Sequence, residues 1–356
     1  MVRFSDIIRL RDKKNADINQ PAPPKQEEGF RLSDTPLFTP VNIVTRVIQE
    51  PPHKKNEAAE AERYYRLFME RAHEIADIIK GNKPITPAPL LSGLHTLLEK
   101  GLTEAIYEHA MKRPKGAFDL PTHTVDVTFT ALKIGKAMNY DMKMMMRLGI
   151  AAMLENAGMH MIPENILKST EELSDKDMAT IRRHPESGYH ILLTLGERYG
   201  WLAEAARCVH ERVDGSGYPL GLRKEAIPEL ASILAIADTY CAMISKRPYR
   251  ESFLPDEAVR HIAEKGKGLF HIKPLKAFLN ELSLFPVNSH VKLNNGFTGR
   301  VISVNRRHPM SPVVEILYDT EGRKKEEEFY IDLLANPLLH IEKCIQPETK
   351  AIKEAN

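Results

Sequence analysis

The sequence predicts a mainly α protein: a helical bundle with a preceding helical region and a small C-terminal β appendage. Three observations carry this. Between residues 56 and 285, apolar residues return at helical spacing in segment after segment. From residue 286 the pattern changes to short alternating runs parted by Asn-Gly, Glu-Gly and proline turns. The chain has 356 residues, 42% of them hydrophobic, enough for more than one domain.

Taken in order, residues 1–55 are charged and proline-rich ("NQPAPPKQEEG", "EPPHKKNEAAEAE") and read as a flexible or extended segment in which only "TPVNIVTRVIQ" can pack. Residues 56–117 read as an N-terminal helical region. Its first helix is capped by Asn56 and stopped by Gly81, with Tyr64, Leu67, Phe68, Ala72, Ile75 and Ile79 on one stripe. Its second is capped by Thr86 and ends before Pro114. The stripe reads as an internal packing face, with a dimer or docking face as the alternative. Residues 118–285 hold "TVDVTFTALKIGKAM", "MMMRLGIAAMLENAG", "ELASILAIADTYCAMIS" and "DEAVRHIAEKG", all with helical periods. Residues 286–345 hold "HVKLNNG", "TGRVISVN" and "PVVEILYD" and form the β appendage; 346–356 are a tail.

Composition narrows the function. Fifty Lys and Arg against forty-eight Asp and Glu leave a formal net charge of +2, which argues against a general binder of DNA, RNA or acidic membranes. Cys208, Cys241 and Cys344 form no CxxC pair, which argues against a disulfide framework and a thiolate zinc cluster and fits a reducing cytoplasm. No apolar run approaches a membrane span of roughly 18–20 residues.

Four helical segments carry candidate ligands: His123 in "DLPTHTVDV", His184 in "IRRHPESG", His210 in "CVHERVDG" and Asp238 in "LAIADTYCAM". Each histidine alone is explained by ordinary packing or surface exposure. Asp238 differs, because its carboxylate falls inside the apolar run "ASILAIADTYCAMI" and is costly there unless paired or coordinated. The loop "DGSGYP" supplies two glycines that can expose backbone N–H groups and an aromatic ring beside a proline. Such a loop can grip a phosphate and stack a base; a plain helix-ending turn with a surface tyrosine is the alternative.

Together these segments resemble the HD-GYP family, which hydrolyses the bacterial messenger cyclic di-GMP. The resemblance spans roughly 118–285 and rests on "IRRHPESGYHIL", "HERVDGSGYPLGLRKEAIP", "ILAIADTYCAM" and "RPYR". It implies an HD-type helical bundle around two or three metal ions, commonly iron or manganese, that clamp a phosphodiester and generate hydroxide. It makes His123, His184, His210 and Asp238 metal ligands and places Asp119 where some members have a glutamate ligand; a helix N-cap is the other reading of Asp119. It gives Tyr218 the role of stacking on a guanine, Gly217 and Pro219 that of shaping the loop, and Arg247 and Arg250 that of facing phosphate. Arg212 and Asp214 read as internal supports of the loop. The β appendage resembles an extension often found behind this domain.

The family is named for an adjacent His-Asp pair, and here "LENAGMHMIP" stands in its place, with Glu155 at the histidine, Asn156 at the aspartate and Met159 at a lysine. Val209 replaces the first of two adjacent histidines. Neutral Asn156 cannot bridge two cations, while Glu155 can still bind and favours hard ions such as manganese or magnesium over zinc. Helical geometry turns His160 away from this face toward the surface. The expectation is a divergent signalling protein that binds cyclic di-GMP or a related cyclic dinucleotide, with weak or lost hydrolysis, as a receptor or a module for a protein partner. The alternative is an active phosphodiesterase with an altered centre of Asp119, His123, Glu155, His184, His210 and Asp238. Its cofactor would be one or two iron or manganese ions, and the receptor reading also admits none. A homodimer is open on either reading.

Overall fold

The structure, a computed structural model, describes residues 52–113, 119–245, 252–282 and 285–345, apart from positions 168, 170, 172, 286, 306, 307 and 309. Helix α1, Pro52–Lys80, starts before the expected Asn56 cap. Proline has no N–H to satisfy and pre-sets φ, so it suits the first helical position and leaves Asn56 inside the helix. The expected single helix over 86–113 is two, α2 (Ala88–Glu99) and α3 (Thr103–Lys112), because the chain turns at Gly101 with φ +69°. Pro87, not Thr86, holds the N-cap of α2.

Helix α4, Leu120–Ala137, is the centre of the fold. Every residue from His123 to Gly135 is buried, because α1, α3, α5 (Met142–Leu154), α10 (Glu229–Ile244) and α12 (Ile272–Glu281) all pack around it. Between α5 and α10 come the short helices α6 (Glu164–Leu167) and α7 (Asp175–Ile181), then α8 (His184–Leu193) and α9 (Gly200–Arg207). Helix α11, Pro255–Lys265, follows α10. Helix α10 is buried from Leu230 to Ile244, so a polar side chain on it needs a partner.

Helices on both sides of residue 118 share one hydrophobic core that runs from Ala61 to Leu282. The Phe68 ring meets the Phe129 ring edge-on at 5.4 Å, and the Tyr65 hydroxyl donates to Asp126 of α4 at 3.0 Å. Buried Lys133 reaches Glu104 of α3 and lies 4.5 Å over the Tyr107 ring. The stripe on α1 is therefore an internal packing face.

The appendage is a five-stranded antiparallel sheet in the order β4-β3-β2-β1-β5, made of β1 (His290–Leu293), β2 (Thr298–Ser303), β3 (Val313–Tyr318), β4 (Tyr330–Asp332) and β5 (Ile341–Ile345). Alternate residues Val291, Leu293, Val301, Val314, Ile316 and Ile331 are buried, as a sheet with one covered face requires.

One contact sets the geometry of the site. After α5, a 3₁₀ turn over Ala157–Met161 packs its backbone directly on the start of α8. A Cβ on Gly158 would collide with the His184 carbonyl and the Gly188 amide. Overpacking of this kind costs about 1–3 kcal/mol, so Gly158→Ala is expected to lower the urea unfolding midpoint by the equivalent of about 2 kcal/mol. An unchanged midpoint would show that α8 can retreat without cost.

Candidate functional site

Four elements bring the candidate donors together. Helix α4 supplies His123, α8 opens on His184, the turn after α9 supplies His210, and the middle of α10 supplies Asp238. His123 Nε2 lies 2.8 Å from Asp238 Oδ1, and the Nε2 atoms of His184 and His210 are 3.0 Å apart. His210 Nδ1 stands 4.0 Å from Asp238 Oδ2. Glu155, the C-cap residue of α5, is buried beside Asp238.

Burial dominates the electrostatics. His184 is pushed down to about 4 by desolvation, and His210 to about 3 by desolvation and then by the His184 charge. Both imidazoles are neutral at pH 7 and can act as ligands. His184 Nδ1 donates to the Ile181 carbonyl at 2.7 Å, which leaves the lone pair on Nε2, facing the cluster. The Glu155 carboxyl is held well above the ordinary carboxylate range by burial and then by the Asp238 charge. Its Oε1 accepts from the Asn156 amide at 3.2 Å, and its Oε2 has no hydrogen-bond partner among the described residues.

No three of the described His, Cys, Asp and Glu side chains converge as a ready metal cage. The donors touch in pairs instead. Their separations still suit neighbouring ligands on one ion, since metal–ligand bonds of about 2.1 Å at right angles put ligand atoms about 3 Å apart. Glu155 Oε2, without a hydrogen-bond partner among the described residues, adds a fifth donor, an oxygen. The donor set, three imidazoles and two carboxyls, is chemically of the kind a divalent ion takes.

The loop after His210 is tied down from within. Buried Glu211 accepts from Leu220 N at 2.6 Å and Leu222 N at 2.9 Å, while Arg212 donates to the Val209 and Glu211 carbonyls. Asp214 accepts from the Ser216 amide and hydroxyl, so Arg212 and Asp214 both brace the loop. Gly217 packs on the Glu211–Arg212 backbone, where a Cβ would collide. The Tyr218–Pro219 peptide is cis. The Tyr218 ring stacks on the His210 imidazole, with centroids 4.9 Å apart and planes 9° apart, and the Arg182 guanidinium lies 5.8 Å from its centre.

The structure thus brings together His123, Glu155, His184, His210, Asp238, Gly217, Tyr218 and Pro219. Asp119 is the N-cap of α4: it is exposed, and its Oδ2 accepts from the Thr122 amide and hydroxyl. Arg247 and Arg250 lie outside the described residues. His160 is half-buried rather than on the surface, because the segment is a 3₁₀ turn and not a continued α-helix; burial and Lys80 lower it to about 4. Sequence reasoning missed Arg182 and the Glu211 anchor. The apolar neighbours of Glu211, Val209 and Val213, were its one sequence signal.

Comparison with known proteins gives a consistent picture. Residues 102–272 match the HD domain model, and 290–353 match the KOW domain associated with HD domain. A cyclic di-GMP phosphodiesterase of Pseudomonas aeruginosa is 29% identical over 211 residues, 59% of this chain and 51% of that one. A cyclic di-GMP phosphodiesterase response regulator of Xanthomonas campestris is 39% identical over 132 residues, 36% of this chain and 35% of that one. A 3′3′-cGAMP-specific phosphodiesterase of Vibrio cholerae is 32% identical over 149 residues, 41% of this chain and 34% of that one. The chain therefore spans about half or less of the length of these relatives. An HDG"Y"P protein of Bdellovibrio bacteriovorus superposes with a TM-score of 0.49 at 15% identity, over 64% of this chain and 73% of that one. No described helix is long and apolar enough to cross a membrane.

Two opposed pH effects follow for the metal-free protein. His184 and His210 are lowered below the ordinary 6.5, so between pH 6.5 and about 4 only the unfolded chain takes up their protons, and stability falls as pH falls. Glu155 is raised above 4.5, so stability falls as pH rises through its window. With chelator present, Glu155→Gln is expected to raise Tm at pH 7 and to steepen the loss of Tm between pH 6.5 and 4. Superimposable Tm curves for variant and wild type would contradict a Glu155 carboxyl raised by burial.

Proposed function

The chain carries an HD domain at residues 102–272 that includes the Gly217-Tyr218-Pro219 loop, and from that premise we propose that it binds a cyclic dinucleotide of the cyclic di-GMP kind and hydrolyses it weakly or not at all. The observation that carries this is the Glu155–Asn156 pair. Where a second anionic bridge would be needed to hold two cations, there is a buried carboxyl raised toward its neutral form and a neutral amide hydrogen-bonded to it. His123, His184, His210 and Asp238, with Glu155, would hold one ion, of iron or manganese. A bound divalent ion supplies positive charge to a phosphate oxygen and lowers the pKa of a bound water.

The chain's own residues supply recognition. Tyr218 presents a ring, fixed from below by His210 and flanked by Arg182, on which a guanine can stack. The Glu211 anchor holds that ring in place before the ligand arrives, which reduces the ordering cost of binding. Arg182, Arg247 and Arg250 are the proposed phosphate contacts. The relatives named as phosphodiesterases for cyclic di-GMP and for cGAMP support a cyclic dinucleotide as the ligand class.

A second reading, an active phosphodiesterase with an altered centre, is favoured by one observation: the His184 Nδ1 bond to Ile181 already aims Nε2 inward, as a working ligand requires. The two readings separate by experiment. Protein loaded with manganese or iron is expected to bind cyclic di-GMP in calorimetry, and Tyr218→Ala to weaken that binding about 10-fold or more. His210→Ala is expected to lose the metal in elemental analysis. Steady multiple turnover of cyclic di-GMP, abolished in His210→Ala, would overturn the first reading in favour of the second; no binding by the loaded protein would overturn both.

A further inference from the structure

A second pocket lies on the outer face of α5, with Leu91 of α2 on one side and the segment 198–201 on the other. Its volume is about 520 Å³, within the range of small-molecule sites. Lys143, Arg147 and Arg198 bring three positive charges to it, and Tyr199 and Trp201 bring two aromatic rings. The Arg147 guanidinium lies 4.2 Å from the centre of the Trp201 ring, and that of Arg198 lies 5.8 Å from the centre of the Tyr199 ring. None of the three cations has an ion-pair partner among the described residues.

That combination is specific in its chemistry. A guanidinium laid on an indole keeps its N–H edge free for an anion and presents its outer plane for a further flat ring. Arg147 and Trp201 form one such pair, and Arg198 and Tyr199 stand in the same lining at a longer separation. A planar base can lie against these rings, while its phosphate meets three positive charges with no carboxylate in the lining to compete. Buried Ile150 forms the apolar floor, with Leu91 and Met146 beside it. We propose that this pocket is a binding site for a nucleotide, separate from the histidine cluster and reading a base and a phosphate together. Ile150 and Glu155 lie on the same helix and its C-cap, so an occupant here rests on the element that carries a proposed metal ligand.

Trp201 is the only tryptophan of the chain, so its fluorescence reports this pocket alone. The probe is adenosine monophosphate, with adenosine and inorganic phosphate as its two halves, titrated into the full chain and repeated by calorimetry. Adenosine monophosphate is expected to shift the emission saturably. Arg147→Ala with Arg198→Ala should weaken it about 10-fold or more, the loss expected for charge-assisted hydrogen bonds. Tyr218→Ala should leave the affinity within about 2-fold, as independent sites require. Arg198 is exposed while Arg147 and Tyr218 are half-buried, so an unchanged urea midpoint is required of each variant to confirm the fold. Absence of saturable binding by both methods overturns the proposal, as does a loss caused by Tyr218→Ala alone. Phosphate binding as tightly as the nucleotide overturns the base half of the reading, and adenosine doing so overturns the phosphate half.

Discussion

Burying a carboxylate in the middle of an apolar helix costs several kcal/mol unless something compensates it, and Asp238 sits where α10 has no face to water. The surroundings of Asp238 supply that compensation: His123 from α4 at 2.8 Å, His210 from the turn after α9, and Glu155, whose carboxyl is pushed toward its neutral form. Each comes from a different part of the chain. The bundle can close around α10 only when α4, α5 and the segment after α9 are in register, so the same contacts that make the site also specify the packing of its walls.

The loop follows from this register. His210 is fixed by His184 and Asp238, and Tyr218 lies flat on His210. Buried Glu211, the next residue, then fastens the far side of the loop through two backbone amides. The ring offered to a ligand is thus positioned by the donor cluster beneath it, and a change in that cluster changes the recognition surface as well as the chemistry.

Much of this was legible in the sequence, for a local reason. His123, His184, His210 and Asp238 each lie in a string whose polarity conflicts with its neighbours, and the long helical periods placed α4, α5, α10 and α11 without ambiguity. What could not be read depended on distance along the chain or on local winding. The turn at Gly101 hid inside an uninterrupted helical period, and β4 and β5 were missed because one has three residues and the other carries Glu342 and Lys343 with little alternation. His160 went astray because a 3₁₀ turn rotates side chains differently from the α-helix assumed for it. Arg182 is 36 positions from the ring it flanks, a contact no periodicity announces.

The core shared across residue 118 means that the folding unit is longer than the span bearing the signature motifs. Phe129 and Asp126, both on the helix that carries His123, take their partners Phe68 and Tyr65 from α1. A fragment cut at the start of α4 would present those surfaces bare, as a greasy seam along its central helix. For anyone excising the catalytic-like portion, the natural place for the scissors lies upstream of α1, and insolubility of a shorter piece would reflect the cut and not the chemistry.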